Sequence, residues 1–234
     1  CDSGGGSNDG VLPGVKAMIL VKRAFETESG DHNVADGANQ VIDYLRYVPG
    51  GGVYVLEPPT PSGTLRSLTD EFEGVDTAGV DVSFDASEVV FSMRHSGDDG
   101  RYHVYVAKAD GSDTPRQLTM GPYDDVRPMY VPGGRIAFVT NQPYTAMGTR
   151  ADEYNHSRVV TQIATISRSS GDADRHVCSQ NLSHSADPFL MSDGSIGFSR
   201  WEHLGPINDL KLFRMNPDCT QMTALAGQHD KPFN

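Results

Sequence analysis

Apolar and polar residues alternate along this chain in short runs, and one such unit recurs. Each copy consists of a run, a tight turn and a second run: "DVSFDASEVVFS" begins at Asp81, "RPMYVPGGRIAFVT" at Arg127 and "DPFLMSDGSIGFSR" at Asp187. A period of two predicts half-buried β-strands, and the steps rich in Gly, Asp and Pro predict turns. The pattern therefore predicts successive β-hairpins.

The spacing of the copies indicates an architecture. A phenylalanine holds the same place in each copy, at intervals of about 47 and about 60 residues: Phe91, Phe138 and Phe198. A Leu-Thr or Leu-Ser pair precedes each copy: Leu68-Thr69, Leu118-Thr119 and Leu182-Ser183. Periods of this length are typical of β-propeller blades.

We predict an all-β fold, a β-propeller of four-stranded antiparallel blades with about four blades present. Residues 1–14 are predicted to form a tether, and residues 15–234 the propeller. The blades are expected at residues 15–69, 79–119, 127–179 and 187–225, and a further blade starts near residue 230. The segment 41–48 fits either a short helical face or a strand.

The last copy begins at Met222 and reads "MTALAGQHDKPF". Its "DKPFN" ending matches the entrance of an innermost strand, as in "DPFLM" and "RPMYV". A chain that stops inside a strand leaves an unpaired apolar edge, which folded proteins avoid. We therefore expect the propeller to be incomplete and to continue past Asn234.

Composition narrows the function. The chain is 37% hydrophobic and 21% charged, which is enough apolar content for a packed core. Its net charge of −12 disfavours binding to nucleic acid, because like charges repel the phosphate backbone. Solubility explains the acidic surface, and cation binding by acidic loops is the alternative. No apolar run approaches the roughly 20 residues of a membrane span.

The first residue is a cysteine, followed by the polar stretch "DSGGGSNDG". A Cys ahead of such a tether resembles a mature bacterial lipoprotein, in which that residue carries the lipid. The resemblance implies lipidation of Cys1, a membrane as partner, and an extracytoplasmic location in the cell envelope, periplasm or outer membrane. It does not choose between the inner and outer membranes. The alternative is a sequence boundary that happens to fall on Cys.

The two remaining cysteines are Cys178 and Cys219. Cys178 lies in a predicted outer strand, and Cys219 in the "NPDCT" turn of the next repeat. An exported protein meets an oxidising compartment, so the two are a candidate disulfide. Both fit equally well as small buried apolar residues.

The repeats resemble those of TolB-like and WD-type propeller proteins. The strings "PGGGVYVLE", "RQLTMGPYDDVRPMYVPGGRIAFVT" and "SDGSIGFSRWEH", with "LFRMNPD" after them, are similar to the propeller of hydrazine synthase alpha-subunit-like proteins. The resemblance covers residues 17–234 and implies the same propeller. The namesake of that family uses c-type haems, which attach at Cys-X-X-Cys-His motifs. This sequence has no such motif, so no haem is expected in this chain.

Few residues suggest chemistry. Trp201, Glu202 and His203 form a candidate polar cluster, but one His and one carboxylate are too few for a metal site. Packing between blades explains them better. The histidines at 176, 184, 203 and 229 differ in repeat phase, so they are not expected to form a shared site. The acidic segments Asp98-Asp99-Gly100 and Asp110-Gly111-Ser112-Asp113 fit hairpin turns. The Gly-X-Ser-X-Gly motif of a hydrolase does not occur. We therefore assign no catalytic or metal-binding residue.

Two functions follow. The first is an exported, lipid-anchored propeller that serves as a protein-binding or scaffolding module, with an envelope protein or a larger complex as partner. Its candidate contact loop is the insertion at residues 141–158, because loops on rigid scaffolds often carry recognition. The alternative is the propeller part of a haem oxidoreductase similar to hydrazine synthase, whose haem sites lie outside this sequence.

Overall fold

The computed structural model describes residues 14–24, 47–144, 160–181, 184–204 and 207–226. The strands within these ranges are β1 (Met18–Lys22), β2 (Gly52–Glu57), β3 (Thr64–Ser67), β4 (Asp76–Val82), β5 (Glu88–Arg94), β6 (His103–Lys108), β7 (Arg116–Gln117), β8 (Asp125–Val131), β9 (Arg135–Thr140), β10 (Gln162–Ser167), β11 (Gly171–Val177), β12 (Ser185–Leu190), β13 (Ile196–Leu204), β14 (Ile207–Met215) and β15 (Thr223–Ala226). No helix occurs in these ranges, and hence none that could span a membrane.

The strands form four antiparallel sheets in which neighbours along the chain are neighbours in the sheet. The first sheet is β1-β2-β3, and the others are β4-β5-β6-β7, β8-β9-β10-β11 and β12-β13-β14-β15. The first strand of each four-stranded sheet packs against that of the next, since β4 contacts β8 and β8 contacts β12. This serial stacking of meandering sheets is the arrangement of propeller blades, as the sequence predicted.

Each of the first three sheets is closed by the same short clip after its outermost strand. The threonine hydroxyl of Thr69 accepts a hydrogen bond from the Val53 amide at 3.2 Å, and that of Thr119 accepts one from the Val104 amide at 2.9 Å. In the third sheet the acceptor is Ser179, which receives the Ile163 amide at 2.9 Å. The hydroxyl satisfies a backbone donor that the short outer strand leaves unpaired.

The third clip is formed by a different pair of residues from the one predicted. Leu182-Ser183 was predicted as the third copy of the pair, but Cys178-Ser179 occupies that position. Cys178 takes the buried position that a leucine holds in the other two sheets, with 4% of its surface exposed. Leu182 and Ser183 themselves lie outside the described residues.

The clip also shows how the first sheet relates to the others. Val53 lies in β2, the middle strand of its sheet, whereas Val104 and Ile163 lie in the third strands of theirs. By this register β1, β2 and β3 correspond to the second, third and fourth strands of a blade. The described residues contain no innermost strand for this sheet.

A bulge interrupts the innermost strand at the same point of three sheets. The register shifts between Thr77 and Val80 in β4, and equivalent shifts occur in β8 and β12. The bulged residues with positive φ are Gly79, Arg127 and Asp187, at 116°, 54° and 50°. Arg127 and Asp187 form an ion pair between neighbouring sheets. An extra residue bends the strand, which is common where a sheet must be re-aimed.

The core lies between the stacked sheets. Phe91, Phe138 and Phe198 are all fully buried in the second strands of their sheets. One apolar cluster joins the first two sheets, another joins the second and third, and a third includes Val126 and Ile196 of the last two. Burial of apolar faces against neighbours is what makes the sheets stable, because one sheet cannot cover both faces alone.

Buried ion pairs hold the starts of two innermost strands. Asp125 is completely buried, and Arg175 of the outermost strand donates to both of its carboxylate oxygens, at 2.6 and 3.0 Å. Asp76 holds the equivalent place in β4 and accepts hydrogen bonds from Arg23, at 2.9 and 3.1 Å, and from the Tyr102 hydroxyl at 2.8 Å. A buried carboxylate with several donors fixes the strand position, since losing a donor would leave an unpaired charge.

Candidate functional site

The two ends of the sheets differ in what they carry. At one end lie the connections between sheets, residues 68–75 and 118–124, together with the β5–β6 turn at residues 95–102. Backbone hydrogen bonds join them, from the Ser96 amide to the Glu73 carbonyl and from the Asp125 amide to the Tyr102 carbonyl. We call this end the cleft face. The opposite end carries the simple hairpins at residues 83–87, 132–134 and 191–195.

A cleft of about 490 Å³ opens on the cleft face of the second sheet. Its volume falls in the range of small-molecule sites, which is roughly 300–1,000 Å³. Five side chains supply most of its chemistry: Phe72, His95, Asp98, Asp99 and Tyr105. None of the described residues that line it is a lysine or an arginine. The cleft therefore offers aromatic surface and carboxylates without a local positive charge.

A buried histidine is one of the residues that line the cleft. His103 begins β6, lines the cleft, and has only 2% of its surface exposed. Its Nε2 lies 3.0 Å from Oδ1 of Asp99, so a proton on Nε2 is donated to that carboxylate. Its Nδ1 is buried and has no hydrogen-bond partner among the described residues. A buried nitrogen left unpaired costs about 1–3 kcal/mol, which marks it as a place for a donor.

A second histidine, His95, lies at the other side of the cleft, and its hydrogen bonds define its tautomer. The Gly97 amide donates to Nδ1 of His95 at 3.1 Å, so in the neutral ring the proton resides on Nε2. That Nε2 lies 3.4 Å from the hydroxyl of Tyr105 and donates to its oxygen. The phenol hydrogen of Tyr105 then remains for another acceptor.

Three rings build the apolar wall. The ring of Phe72 lies 4.9 Å from that of His95 and 6.0 Å from that of Tyr105, in tilted and edge-to-face arrangements. Burial raises the pKa of the Tyr105 phenol above its usual range, and the charges of Asp98 and Asp99 raise it further. Tyr105 thus stays a neutral phenol, and the two carboxylates create a negative potential at its oxygen.

The two aspartates also hold the turn that presents them. Asp98 accepts hydrogen bonds from the amides of His95 at 2.6 Å and Gly100 at 2.7 Å. Asp99 accepts one from the Arg101 amide at 3.2 Å besides that of His103, and about half of its side chain is exposed. The turn interpretation from sequence is therefore right for these residues, but incomplete, because Asp99 also faces the cleft.

The predicted polar cluster is elsewhere. Trp201, Glu202 and His203 lie in β13, in the fourth sheet. The Trp201 ring stacks on His184 at 5.8 Å, and its carbonyl accepts a hydrogen bond from Asn181 at 3.0 Å. The side chains of Glu202 and His203 lie outside the described residues. What is described of Trp201 is packing and backbone bonding.

The cysteines take three different places. Cys178 and Cys219 are joined as a disulfide with Cα atoms 5.1 Å apart. It connects the end of β11 to the β14–β15 turn, and thus the third sheet to the fourth. Cys1, the predicted lipidation site, lies outside the described residues.

Other sequence-based candidates do not converge. His176 pairs with Asp174 at 3.1 Å on an exposed edge, whereas His184 stacks on Trp201. His229 and most of the predicted contact loop, residues 145–158, lie outside the described residues. Within the described ranges no group of three or more His, Cys, Asp or Glu side chains could hold a metal ion.

The cleft is not evident from the sequence. His103 and Tyr105 have the pattern of ordinary strand residues, and His95 is a single histidine directly after a strand. A signal was present in "HVYV", where two cleft residues alternate on one face, and in the adjacent Asp98-Asp99 pair.

Comparison with known proteins supports the fold. No protein-family model matches this sequence, and no curated protein matches it. Among solved structures, hydrazine synthase from Kuenenia stuttgartiensis superimposes with a TM-score of 0.71 and 16% identity over 96% of this chain. This chain spans only 33% of that one.

Two further structures are similar. A TolB protein from Agrobacterium tumefaciens gives a TM-score of 0.54 at 14% identity, over 91% of this chain and 70% of that one. Oligogalacturonate lyase from Vibrio parahaemolyticus gives 0.51 at 14% identity, over 88% and 53%. The likeness to hydrazine synthase and TolB, together with the sheet order, shows a β-propeller fold. At these identities it shows no more than the fold.

Proposed function

We propose that this chain is a β-propeller binding module of the bacterial cell envelope, which holds a protein partner at its cleft face. The observation that carries the proposal is the cleft itself, a sizeable concave site walled by aromatic rings on the end of the fold that bears the connecting loops. The first residues of the predicted contact loop lie at the same end, because Asn141 bonds to Asp124 at 3.0 Å.

An envelope location is supported by the disulfide between Cys178 and Cys219. Disulfides persist in oxidising compartments such as the periplasm and are rare in the bacterial cytosol. The expected lipid on Cys1 is a separate prediction. The intact mass of the protein purified from its native membrane checks it, since each acyl chain adds a defined mass.

Two exposed apolar residues provide a matched test of the binding face. Met120 lines the cleft and is 64% exposed, whereas Phe84 lies on the opposite hairpin of the same sheet and is 69% exposed. We would cross-link the full chain in the native envelope and quantify co-purified proteins for wild type, Met120→Arg and Phe84→Arg. Both substitutions add the same charge at similar exposure.

The proposal expects a defined set of partners with wild type and Phe84→Arg, and at least a tenfold loss, on the order of 1.4 kcal/mol, with Met120→Arg. Loss with Phe84→Arg alone, or equal recovery by all three proteins, would refute binding at the cleft face.

A second candidate is the propeller part of a haem oxidoreductase, favoured by the TM-score of 0.71 to hydrazine synthase. The residues of this chain do not fit covalent haem, because Cys178 and Cys219 are bonded to each other and no Cys-X-X-Cys-His motif occurs. The haem would have to be held outside this sequence. A Soret band in the protein purified from its native source would support this candidate.

A further inference from the structure

We propose that the cleft of the second sheet binds a cationic nitrogen group, an ammonium or a guanidinium. Within the proposed function this group is the end of a lysine or arginine side chain of the partner. The inference rests on that function only for the source of the cation, because the chemistry of the cleft stands on its own residues.

The balance of donors and acceptors favours a cation. The accessible acceptor of the cleft is the second oxygen of Asp99, whose first oxygen receives Nε2 of His103 and whose side chain is about half exposed. A group with N–H donors satisfies this oxygen. An anion would meet the carboxylates of Asp98 and Asp99 instead.

The electrostatics of the cleft also favour a cation. Asp98 and Asp99 lie at the cleft, and no described lining residue is a lysine or an arginine to neutralise them. Two guanidinium groups lie near the same turn and have other partners: Arg101 donates to Asp124 at 2.8 Å, and Arg94, beside Gly100, stacks over the ring of Tyr47. A net charge of −12 on the whole chain adds to the local attraction for cations.

The aromatic wall adds to this attraction. The partly exposed ring of Phe72 lines the cleft and packs against the buried ring of Tyr105, with their centroids 6.0 Å apart. Cations are attracted to the faces of such rings, by about 0.5–2 kcal/mol depending on desolvation. The methylene stem of a basic side chain gains contact with the same surface. Carboxylates with aromatic rings select an organic cation over a bare metal ion.

The test is a titration of the full chain, isotope-labelled and followed by amide NMR. The probes are N-acetyl-lysine amide, N-acetyl-arginine amide and spermidine, with N-acetyl-norleucine amide as the uncharged match for lysine. We expect the cationic probes to shift the Gly97 and Gly121 amides, which line the cleft, and the norleucine probe to leave them in place. Tighter binding by the amino-acid probes indicates a protein side chain as the source, and tighter binding by spermidine a free polyamine.

Two variants make the result specific. Asp99→Asn should weaken binding of the cations by about tenfold, the value of one charge-assisted hydrogen bond. Asp85→Asn removes the same charge from the opposite hairpin of the same sheet and should leave binding unchanged. The amide spectra show in the same samples whether each variant is folded.

The inference is overturned if the norleucine probe binds as well as lysine, if Asp99→Asn binds like wild type, or if no cationic probe shifts these amides. Recovery of partners at the cleft face in the cross-linking experiment, with any of those results, would leave the proposed function standing and remove the cation. The two failures are therefore distinguishable.

Discussion

Four aspartates among the described residues cap tight turns in the same way. Asp85, Asp110, Asp193 and Asp218 each stand two positions before a Ser or Thr and accept hydrogen bonds from its backbone amide. In each case the hydroxyl of that Ser or Thr, and then its amide, hold the pKa of the carboxyl below its usual range. An Asp that bonds its own turn replaces a longer backbone connection.

Because of these lowered pKa values, the free energy of unfolding depends on pH in the acidic range. For Asp85 the hydroxyl of Ser87 is the largest cause of the lowered pKa, followed by that of Ser83. A group whose pKa is lower in the folded state stabilises the protein above the pKa of the unfolded chain, about 4, and loses this effect as pH falls below it. Asp85→Asn should therefore lower the urea midpoint most near neutral pH, and the gap to wild type should narrow steadily as pH falls below about 4.

Ser87→Ala is the companion variant, because it removes the largest donor and keeps the carboxylate. Its urea midpoint should show the same pH-dependent component, reduced in size. A gap between wild type and Asp85→Asn that persists unchanged into acid would contradict the origin of the pKa shift.

Among the elements, the blades could be predicted from the sequence because one residue type holds the same position in each. Phe91, Phe138 and Phe198 are equivalent because each fills the same buried place in a second strand. In two sheets the Leu-Thr pair seen in the sequence is the pair that forms the closing clip. In the third sheet the clip is formed by Ser179, which follows Cys178, and not by the Leu-Ser pair that comes shortly after it. Residue type alone could not show which serine reaches the Ile163 amide.

Other features of the elements depend on contacts between distant segments. The positive φ falls on the second bulged residue, Gly79, in one sheet and on the first, Arg127 and Asp187, in the others, and an arginine does not indicate a positive φ. The cleft brings together Phe72 of the connection into the second sheet, the turn at 95–102 and β7, which become neighbours only when that sheet is paired and the connection folds against the turn. A pattern read along the chain carries no such information.

The bulge is tested by adding one methyl group. A Cβ on Gly79 would lie 2.6 Å from Cα of Arg127 in the neighbouring sheet, and Gly79 has a φ of 116°. Gly79→Ala should lower the free energy of unfolding by about 2–4 kcal/mol, through overpacking and backbone strain. Equilibrium urea unfolding measures this.

Gly133→Ala is the matched control. Gly133 has a φ of 80° in the β8–β9 hairpin, and a Cβ there would meet nothing within 4 Å. Only backbone strain remains, so the loss should be about 1–2 kcal/mol. Equal losses at both sites would show that contact between the sheets does not limit the bulge.

At the scale of the whole molecule, the sheets are held in series by a few long-range bonds besides the core. The disulfide between Cys178 and Cys219 links the third and fourth sheets across a separation of 41 residues. Closing a loop of this length restricts the unfolded chain and stabilises the fold by about 4 kcal/mol in the chain-entropy model. The Cys178→Ser, Cys219→Ser double variant should lose about this free energy in urea unfolding.

Thiol counting gives the accompanying check. In protein unfolded with urea, neither Cys178 nor Cys219 should react with an alkylating agent until a reductant is added. Two reactive thiols, with unfolding that a reductant does not change, would show that the cysteines are merely buried neighbours. The envelope location would then lose its structural support.

Recognition at the cleft face can be tested by hydrogen exchange, measured by mass spectrometry on the complex with the cross-linked partner. We expect slower exchange at residues 69–75, 95–103 and 117–124 in the complex, with unchanged exchange in the hairpins at 83–87, 132–134 and 191–195. Protection confined to those opposite hairpins, or an exchange pattern identical with and without partner, would contradict it.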